Sequence, residues 1–403
     1  MTRPQPVSLA TPVRAPQRAR LPDVVRALAA LAPNQDAAAT FPQAGIRQLH
    51  DAGFLTASVV REYGGADYGV EQLARLLIEI GKGDPSVALI ALMNLQFHAA
   101  QRPGDPRAIG VHLYRKILAG SERAPTLVNA FRAEPDLGSP ARGGLPKTVA
   151  RYSAEGWVLS GRKMFCTGST GLSYHLPWAV TDEAQSRVAE FLVPADSEGI
   201  EIVPVWNHLG MRATESHDVI YQDVVVPHDH IAGAEIVTPD TRQDMRAVAP
   251  TVLLIQSIYI GVARAAQAAF HRYAHQRVPT ALGKPIATTE RIRSVAGEIE
   301  LNIVQAEALL AHFASGLAAG REEAFRDIAA AKSAISAAVI RSVEIAVKAL
   351  GNPGLSRANP LERHLRDVLC ARIHSPQDDS VLLALGTTSL SRQYHPDIEE
   401  QVK

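Results

Sequence analysis

The sequence changes texture twice, and this restricts the fold more than any single motif. From Pro22 to about Ser121 apolar residues recur at helical spacing, as in Leu73, Leu76, Leu77 and Ile80, and Val87 to Leu95 is apolar enough for a buried helix. Between about Pro125 and Glu235 the chain breaks into short β-rich runs separated by Gly, Pro and Asp: 156–159, 178–180, 190–193, 200–203 and 219–221. Several short strands at such spacing predict a sandwich or barrel. From about Arg242 the chain is Ala-rich and helical again, with candidate helices at 252–274, 290–319, 323–350 and 378–391. The expected fold class is α+β: after an arm over 1–21, an N-terminal helical domain (22–124), a middle β-barrel or sandwich (125–240) and a C-terminal four-helix bundle (241–403).

That order excludes the alternating βα pattern of a nicotinamide-binding fold. No G-x-G-x-x-G follows a strand and no phosphate-binding P-loop motif occurs. Lys+Arg equals Asp+Glu at 41 each with no basic block, so nucleic acid is not an expected partner. No apolar run is expected to reach the roughly 18–20 residues of a membrane span. The first twenty residues, with Pro4, Pro6, Pro12 and Pro16, read as a flexible arm without a signal-peptide core. Cys166 and Cys370 cannot make a disulfide framework or a zinc site by themselves, and the cytoplasm is the expected compartment. His228-Asp229-His230 has the look of a metal trio, but it follows Pro227 and reads as a solvated turn, so no metal is expected.

Four stretches then carry chemistry. The first is Glu134-Pro135-Asp136-Leu137-Gly138-Ser139. The second is Leu159-Ser160-Gly161-Arg162-Lys163-Met164-Phe165-Cys166-Thr167-Gly168. The third runs from Leu209-Gly210-Met211-Arg212-Ala213-Thr214-Glu215-Ser216 into Asp218 to Pro227. The fourth runs from Lys348-Ala349-Leu350-Gly351-Asn352-Pro353-Gly354 to Pro360-Leu361-Glu362-Arg363-His364-Leu365-Arg366-Asp367. In this order they resemble the motifs of the acyl-CoA dehydrogenase family along nearly the whole chain.

The resemblance implies a flavin-dependent oxidoreductase that holds FAD, with FMN as the alternative. It places Ala133, Ser139, Phe165, Thr167, Arg277, Lys348, Gly351 and Gln377 at the cofactor, with Ser139 also beside the substrate. Thr167 takes the place of the hydroxyl that bonds flavin N5, and Phe165 that of the aromatic beside the ring. Arg277 matches an arginine that reaches a neighbouring subunit's cofactor, which implies a homodimer or homotetramer. A flavin reductase or electron-transfer protein is the implied partner beside a small-molecule substrate. His98, with Asn94 and Gln96 on a buried-looking helix, could line the substrate cavity, as could Thr251 on the long helix.

The departures from the family bear on mechanism. Dehydrogenation of an acyl thioester needs a carboxylate to take the α proton. Counting from Arg366-Asp367, the family's base position falls on Ser375, and the alternative base on the long helix falls on Thr251. The pair that holds CoA-bearing substrates falls on Ala249 and Val252, with Asp244 and Arg246 nearby. The segment His374-Ser375-Pro376 is instead similar to the His-Asp-Pro loop of flavin monooxygenases of this fold. Those enzymes take reduced flavin from a separate reductase and use oxygen. The catalytic candidates are therefore His374 and Ser375. Three readings stand: oxidation of an acyl-CoA-like or related small substrate at flavin N5, oxygenation by reduced flavin, and an inactive flavin-binding protein.

Overall fold

The computed structural model describes residues 13–137, 144–238 and 245–393. The chain divides into two compact units, Met1–Asp244 and Met245–Lys403.

The first unit begins with helices α1 (Leu21–Ala38), α2 (Gln43–Asp51), α3 (Val70–Gly83), α4 (Pro85–Ala99) and α5 (Val111–Arg123). Helix α3 buries Leu73, Leu76, Leu77 and Ile80 as their spacing predicts. Helix α4 starts sharply because Asp84 accepts from Ser86 N (2.8 Å) and Val87 N (3.3 Å) while Pro85 fills the first turn. Nearly all of α4 is buried, so it shows no polar face.

The strands are β1 (Val128–Phe131), β2 (Val149–Tyr152), β3 (Trp157–Cys166), β4 (Tyr174–Thr181), β5 (Arg187–Phe191), β6 (Val193–Pro194), β7 (Ile200–Val203), β8 (His217–Val226) and β9 (Ile231–Ile236). They form one sheet in the order β7-β8-β3-β2-β4-β5-β9, with β1 and β6 also paired to β4. Strands β3 and β8 pair antiparallel, with bulges between Leu159 and Gly161 and between Lys163 and Cys166. The second bulge re-aims the end of β3, where Phe165 and Thr167 lie. Strands β1, β2 and β9 were not expected from the sequence.

The helical and β segments expected as separate domains make one unit because they share a core. Val59, Tyr63, Phe97, Leu113 and Tyr114 from the helical part pack with Val128, Leu176, Leu192 and Ala232 from the β part. Asn94 bridges the two, donating to Leu55 O (2.9 Å) and accepting from Val128 N (3.0 Å).

The second unit contains α6 (Met245–Gln276), α7 (Glu290–Ala318), α8 (Glu322–Arg326), α9 (Ile328–Leu350), α10 (Asn352–Leu355), α11 (Leu361–Val368) and α12 (Asp378–Gln393). Helices α6, α7 and α9 pack on one another, and α11 lies against α6 and α9. The helix expected from 323 is split, with α8 ending before Asp327 and α9 beginning after it. Helix α12 packs on α9 and leaves Leu382, Leu383 and Leu390 exposed. Contrary to the sequence expectation, the segment Arg246–Gln276 is long and apolar enough to cross a membrane, but 72% of its apolar window is buried inside the protein. Polar Gln256, Ser257 and Tyr259 interrupt the run without lowering its average enough to hide it, and the burial marks a core helix.

Candidate active site

In the first unit two of the quoted motifs are joined by a buried ion pair. Lys163 Nζ lies 2.6 Å from Glu134 Oε1 and donates to Trp178 O (2.5 Å), with both charged side chains shut away from water. The Glu134 carboxylate also accepts from Lys147 N (2.6 Å), Thr148 Oγ1 (2.6 Å) and Thr148 N (3.2 Å). Burial alone would push this carboxyl up, but the Lys163 ammonium and the donors from Thr148 and Lys147 hold it below the usual range. Gly161 permits the approach, since a Cβ there would meet Thr148 Oγ1 at 2.5 Å. Ala133 lies beside the pair, and its carbonyl accepts from Met164 N at 3.0 Å. The end of β3 is thus tied to the loop that opens the Glu134 motif. Ser139 lies outside the described residues.

Beyond that tie the chain presents Phe165 and Thr167. Phe165 is 54% exposed and sits at φ 56, a left-handed conformation rare for a bulky residue. Trp206 and His208 stand edge-on to it with ring centroids at 6.4 Å, and they stack on each other at 3.6 Å. Thr167 is half-buried, and its Oγ1 accepts from Ser216 Oγ at 3.1 Å. Its own proton remains to be donated, because a hydroxyl carries one donor and two acceptor lone pairs. A flat ring with hydrogen-bond acceptors on its edge fits an exposed aromatic beside a free hydroxyl donor.

His98 lies elsewhere in this unit. It is wholly buried, with Nδ1 3.0 Å from Tyr114 Oη and Nε2 unpartnered, among Phe97, Tyr114 and Tyr63. Burial lowers its pKa to about 3. His228 stacks on Tyr152, Asp229 pairs with His112 and His230 bonds Leu192 O, so these three side chains face different partners. No metal-binding cluster occurs among the described residues.

In the second unit the segment 369–378 holds the candidate acid–base residues. His374 Nε2 lies 2.6 Å from Tyr259 Oη on α6. Tyr259 is fully buried, and the ring nitrogen is the one partner of its hydroxyl among the described residues. With Tyr259 as the donor, Nε2 accepts and the proton of the neutral imidazole resides on Nδ1; with the ring as the donor, the two nitrogens exchange roles. Burial, and after it the Lys332 ammonium, lowers the His374 pKa to about 4, while burial raises that of Tyr259. At neutral pH both groups are uncharged.

The segment is anchored from beneath. Lys332, buried on α9, donates to Arg372 O (3.1 Å) and to Asp378 Oδ1 (2.8 Å), which also accepts from Ser333 Oγ (3.0 Å). Ser336, one turn further along α9, bonds Gln256 Oε1 (2.9 Å) and Ala371 O (3.3 Å), and Gln256 Nε2 is buried without a partner. Asp378 is thus both the first residue of α12 and a partner of Lys332. Ser375 follows His374 directly and is exposed, and Gln377 accepts from Val381 N through its carbonyl. Thr251 lies two turns before Tyr259 on α6 and is half-buried. Gly351 ends α9 at φ 67, where glycine avoids the strain of a side chain. Arg277 is exposed just past α6, its carbonyl accepting from Ile286 N. Arg246 is ion-paired with Glu322 and lies over Phe325, which gives it a structural duty at the start of α6.

Tyr259, Lys332 and Ser336 were not singled out by sequence, and Thr214 and Ser216 lay inside the third quoted motif without a role of their own. A lysine within the otherwise apolar face of α9 was the one available signal for Lys332. Glu134 and Lys163 lay inside quoted motifs, but nothing in the string of letters said that they meet.

A helical segment built onto a β sheet, a strand end offering an exposed aromatic and a hydroxyl donor, and a separate helical bundle define a flavoprotein oxidoreductase of three-part construction. Models for the N-terminal, middle and C-terminal domains of acyl-CoA dehydrogenases match residues 20–104, 130–224 and 242–378. The chain belongs to the acyl-CoA dehydrogenase family. It is 29% identical over 359 residues to YdbM of Bacillus subtilis (strain 168), assigned as an acyl-CoA dehydrogenase, covering 88% of this chain and 91% of that one. Among solved structures it resembles KijD3 in complex with FMN and dTDP-3-amino-2,3,6-trideoxy-4-keto-3-methyl-D-glucose, with a TM-score of 0.78 and 24% identity over 96% of this chain and 97% of that one. It also resembles butyryl-CoA dehydrogenase from Megasphaera elsdenii, with a TM-score of 0.78 and 22% identity over 93% and 98% of the two chains. Both structural likenesses are of fold.

Proposed function

We propose that this chain is a flavin-dependent oxidoreductase whose acid–base group is the His374–Tyr259 pair, and that it works as an oxygenase fed with reduced flavin rather than as a thioester dehydrogenase. A bound flavin supplies hydride acceptance or, once reduced, the activation of oxygen. The observation that carries the choice is the state of His374. Its Nε2 is engaged by the Tyr259 hydroxyl at 2.6 Å, and we assign that hydroxyl as the donor, which puts the imidazole proton on Nδ1 and leaves no free lone pair for an α proton. Ser375 and Thr251 at the family's base positions have no carboxylate to offer. A neutral hydrogen-bond donor without a base suits the holding of a reduced-oxygen species better than abstraction of a proton from carbon.

Thr167 and Phe165 are the residues we assign to the flavin ring, with Ala133, Ser139, Arg277, Lys348, Gly351 and Gln377 assigned to the cofactor by family position. FAD and FMN both suit this reading, and the FMN bound by KijD3 supports the smaller cofactor. A flavin reductase is then the partner to expect, and a homodimer or homotetramer the assembly.

The test begins with the purified protein and reduced FMN or FAD under anaerobic conditions. On mixing with air, the bound flavin should reoxidise in a slow phase distinct from that of free flavin. His374→Ala should then lower oxygen transfer about 10²–10⁴-fold. Anaerobic bleaching of an oxidised, bound flavin by butyryl-CoA would establish the dehydrogenase reading instead, which the likeness to YdbM supports.

A further inference from the structure

Phe165 does not keep its place by backbone preference or by burial. It sits at φ 56, and its ring is largely exposed. A bulky side chain persists in the left-handed region only where its surroundings fix it. The backbone on either side is tied, since Met164 N donates to Ala133 O (3.0 Å) and Thr167 N to Phe165 O (2.9 Å). Those bonds fix the chain and leave the phenyl ring free to turn about its own side-chain bonds.

The ring is propped by a stacked pair from the segment after β7. Trp206 and His208 lie face to face at 3.6 Å with 11° between their planes. The Phe165 centroid is 6.4 Å from both, and its plane is nearly perpendicular to both, at 78° and 84°. Equal distances place the phenyl beside the stack, against two rings at once, rather than on top of it. Aromatic pairs favour such perpendicular contacts. Trp206 is itself pinned, its N donating to His217 Nδ1 (3.0 Å) and its Nε1 to Met211 O (3.1 Å). The His208 carbonyl accepts from Arg212 Nη1 at 3.2 Å. Burial lowers the His208 pKa from its ordinary value, so at neutral pH the imidazole stacks uncharged.

We propose that Trp206 and His208 are positioning residues that hold the Phe165 ring outward as a ready-made wall for the flavin. This rests on the reading that Phe165 lies beside the flavin ring. A phenyl ring held before the cofactor arrives loses no rotational freedom when it binds. A loose ring must be ordered at that moment, and ordering one side chain weakens binding by a factor of about two to ten. The role passes through Phe165 and asks for no contact between the stacked pair and the cofactor. It asks of position 208 only a flat ring.

The experiment measures the dissociation constants of FMN and FAD, and the visible absorption bands of the bound flavin, in the full chain and its variants. Trp206→Leu and His208→Ala should each weaken flavin binding about five-fold. The bands of the bound flavin should move toward those of free flavin, because the ring beside it is no longer held. His208→Phe, which keeps a flat ring on Trp206, should restore both values. If Trp206→Leu fails to fold, His208→Ala and His208→Phe carry the test by themselves. A variant of either residue that keeps the parent affinity and spectrum, while Phe165→Ala alters them, overturns the positioning role alone. Parent values in Phe165→Ala as well overturn the assignment of Phe165 to the flavin, and the positioning role with it. A His208→Phe protein that matches His208→Ala shows that the imidazole itself counts, and this too overturns the role.

Discussion

The His98–Tyr114 pair in the first unit and the His374–Tyr259 pair in the second are the same two residue types at hydrogen-bond distance, yet they are set up for different work. His98 is enclosed on every side by aromatic and aliphatic neighbours, meets its tyrosine through Nδ1 and leaves Nε2 unpartnered in the core. His374 is half-buried, meets its tyrosine through Nε2 and sits in a segment tied down by Lys332. Burial keeps both imidazoles neutral. The difference lies in access and anchoring: the first pair is wholly enclosed, whereas the second is partly exposed in a segment that Lys332 holds. A histidine with a depressed pKa is therefore a poor guide to function until its second nitrogen and its supports are known.

The anchor is the sharpest place to break this contrast, since the first pair has no equivalent. Lys332→Met removes an ammonium that bonds both Arg372 O and Asp378. A fully buried pair broken on one side costs about 3–5 kcal/mol, but Asp378 is 37% exposed and can be rehydrated. We expect about 2 kcal/mol of lost stability, read from the denaturant midpoint, with hydrogen exchange accelerated over 372–378 and turnover reduced. Full activity in a destabilised Lys332→Met protein would show that the anchor serves the fold and not His374.

How far the sequence revealed this arrangement differs between the units. The double change of texture marked the helical and β segments, because periodicities of 3.6 and 2 residues survive in single-sequence patterns. It did not reveal that the first two segments share a core, since contacts such as Asn94 with Val128 N follow from no local pattern. Strands β1 and β2 escaped because each carries a single β-branched residue, Val128 and Val149, whereas β7, of the same length, carries Ile200, Ile202 and Val203. At the site, Thr167 and His374 were legible through motifs, while Tyr259 and Lys332 were not. A tyrosine in an apolar helix reads as core, and only the fold brings it to a histidine 115 residues away.

Acid sharpens the comparison further. The His98 pKa is lowered to about 3 and that of His374 to about 4, against about 6.5 in an unfolded chain. Between those values the unfolded chain binds protons that the folded chain refuses, so stability is at its fullest above pH 6.5 and falls as the pH drops toward 4 and 3. One pH unit below the unfolded value, His98 should cost about 1.4 kcal/mol of global stability. His374, being half-buried, can take up its proton by local opening. Hydrogen exchange at pH 5.5 should therefore speed up over 372–378 before the aromatic core around His98 loosens. Simultaneous loosening would mean that the two pairs are equally enclosed.

The smallest expected effect is the most discriminating. Tyr114→Phe deletes the one hydrogen bond that the His98 imidazole makes among the described residues and leaves the aromatic ring in place. A neutral hydrogen bond contributes about 1 kcal/mol, and the aromatic contacts of Tyr114 with Tyr63 and Phe97 persist in phenylalanine. Stability should drop by about that amount in a denaturant titration, with turnover unchanged. Tyr259→Phe deletes the matching bond in the second unit, and its stability cost should be similar. There the consequence is chemical as well. Without the hydroxyl to fill Nε2, the imidazole proton is free to reside on either nitrogen, and the ring loses its fixed donor. Turnover should fall in Tyr259→Phe while it holds in Tyr114→Phe. Equal turnover in the two variants would place the His374 pair in the same class as the His98 pair, as packing with a hydrogen bond in it.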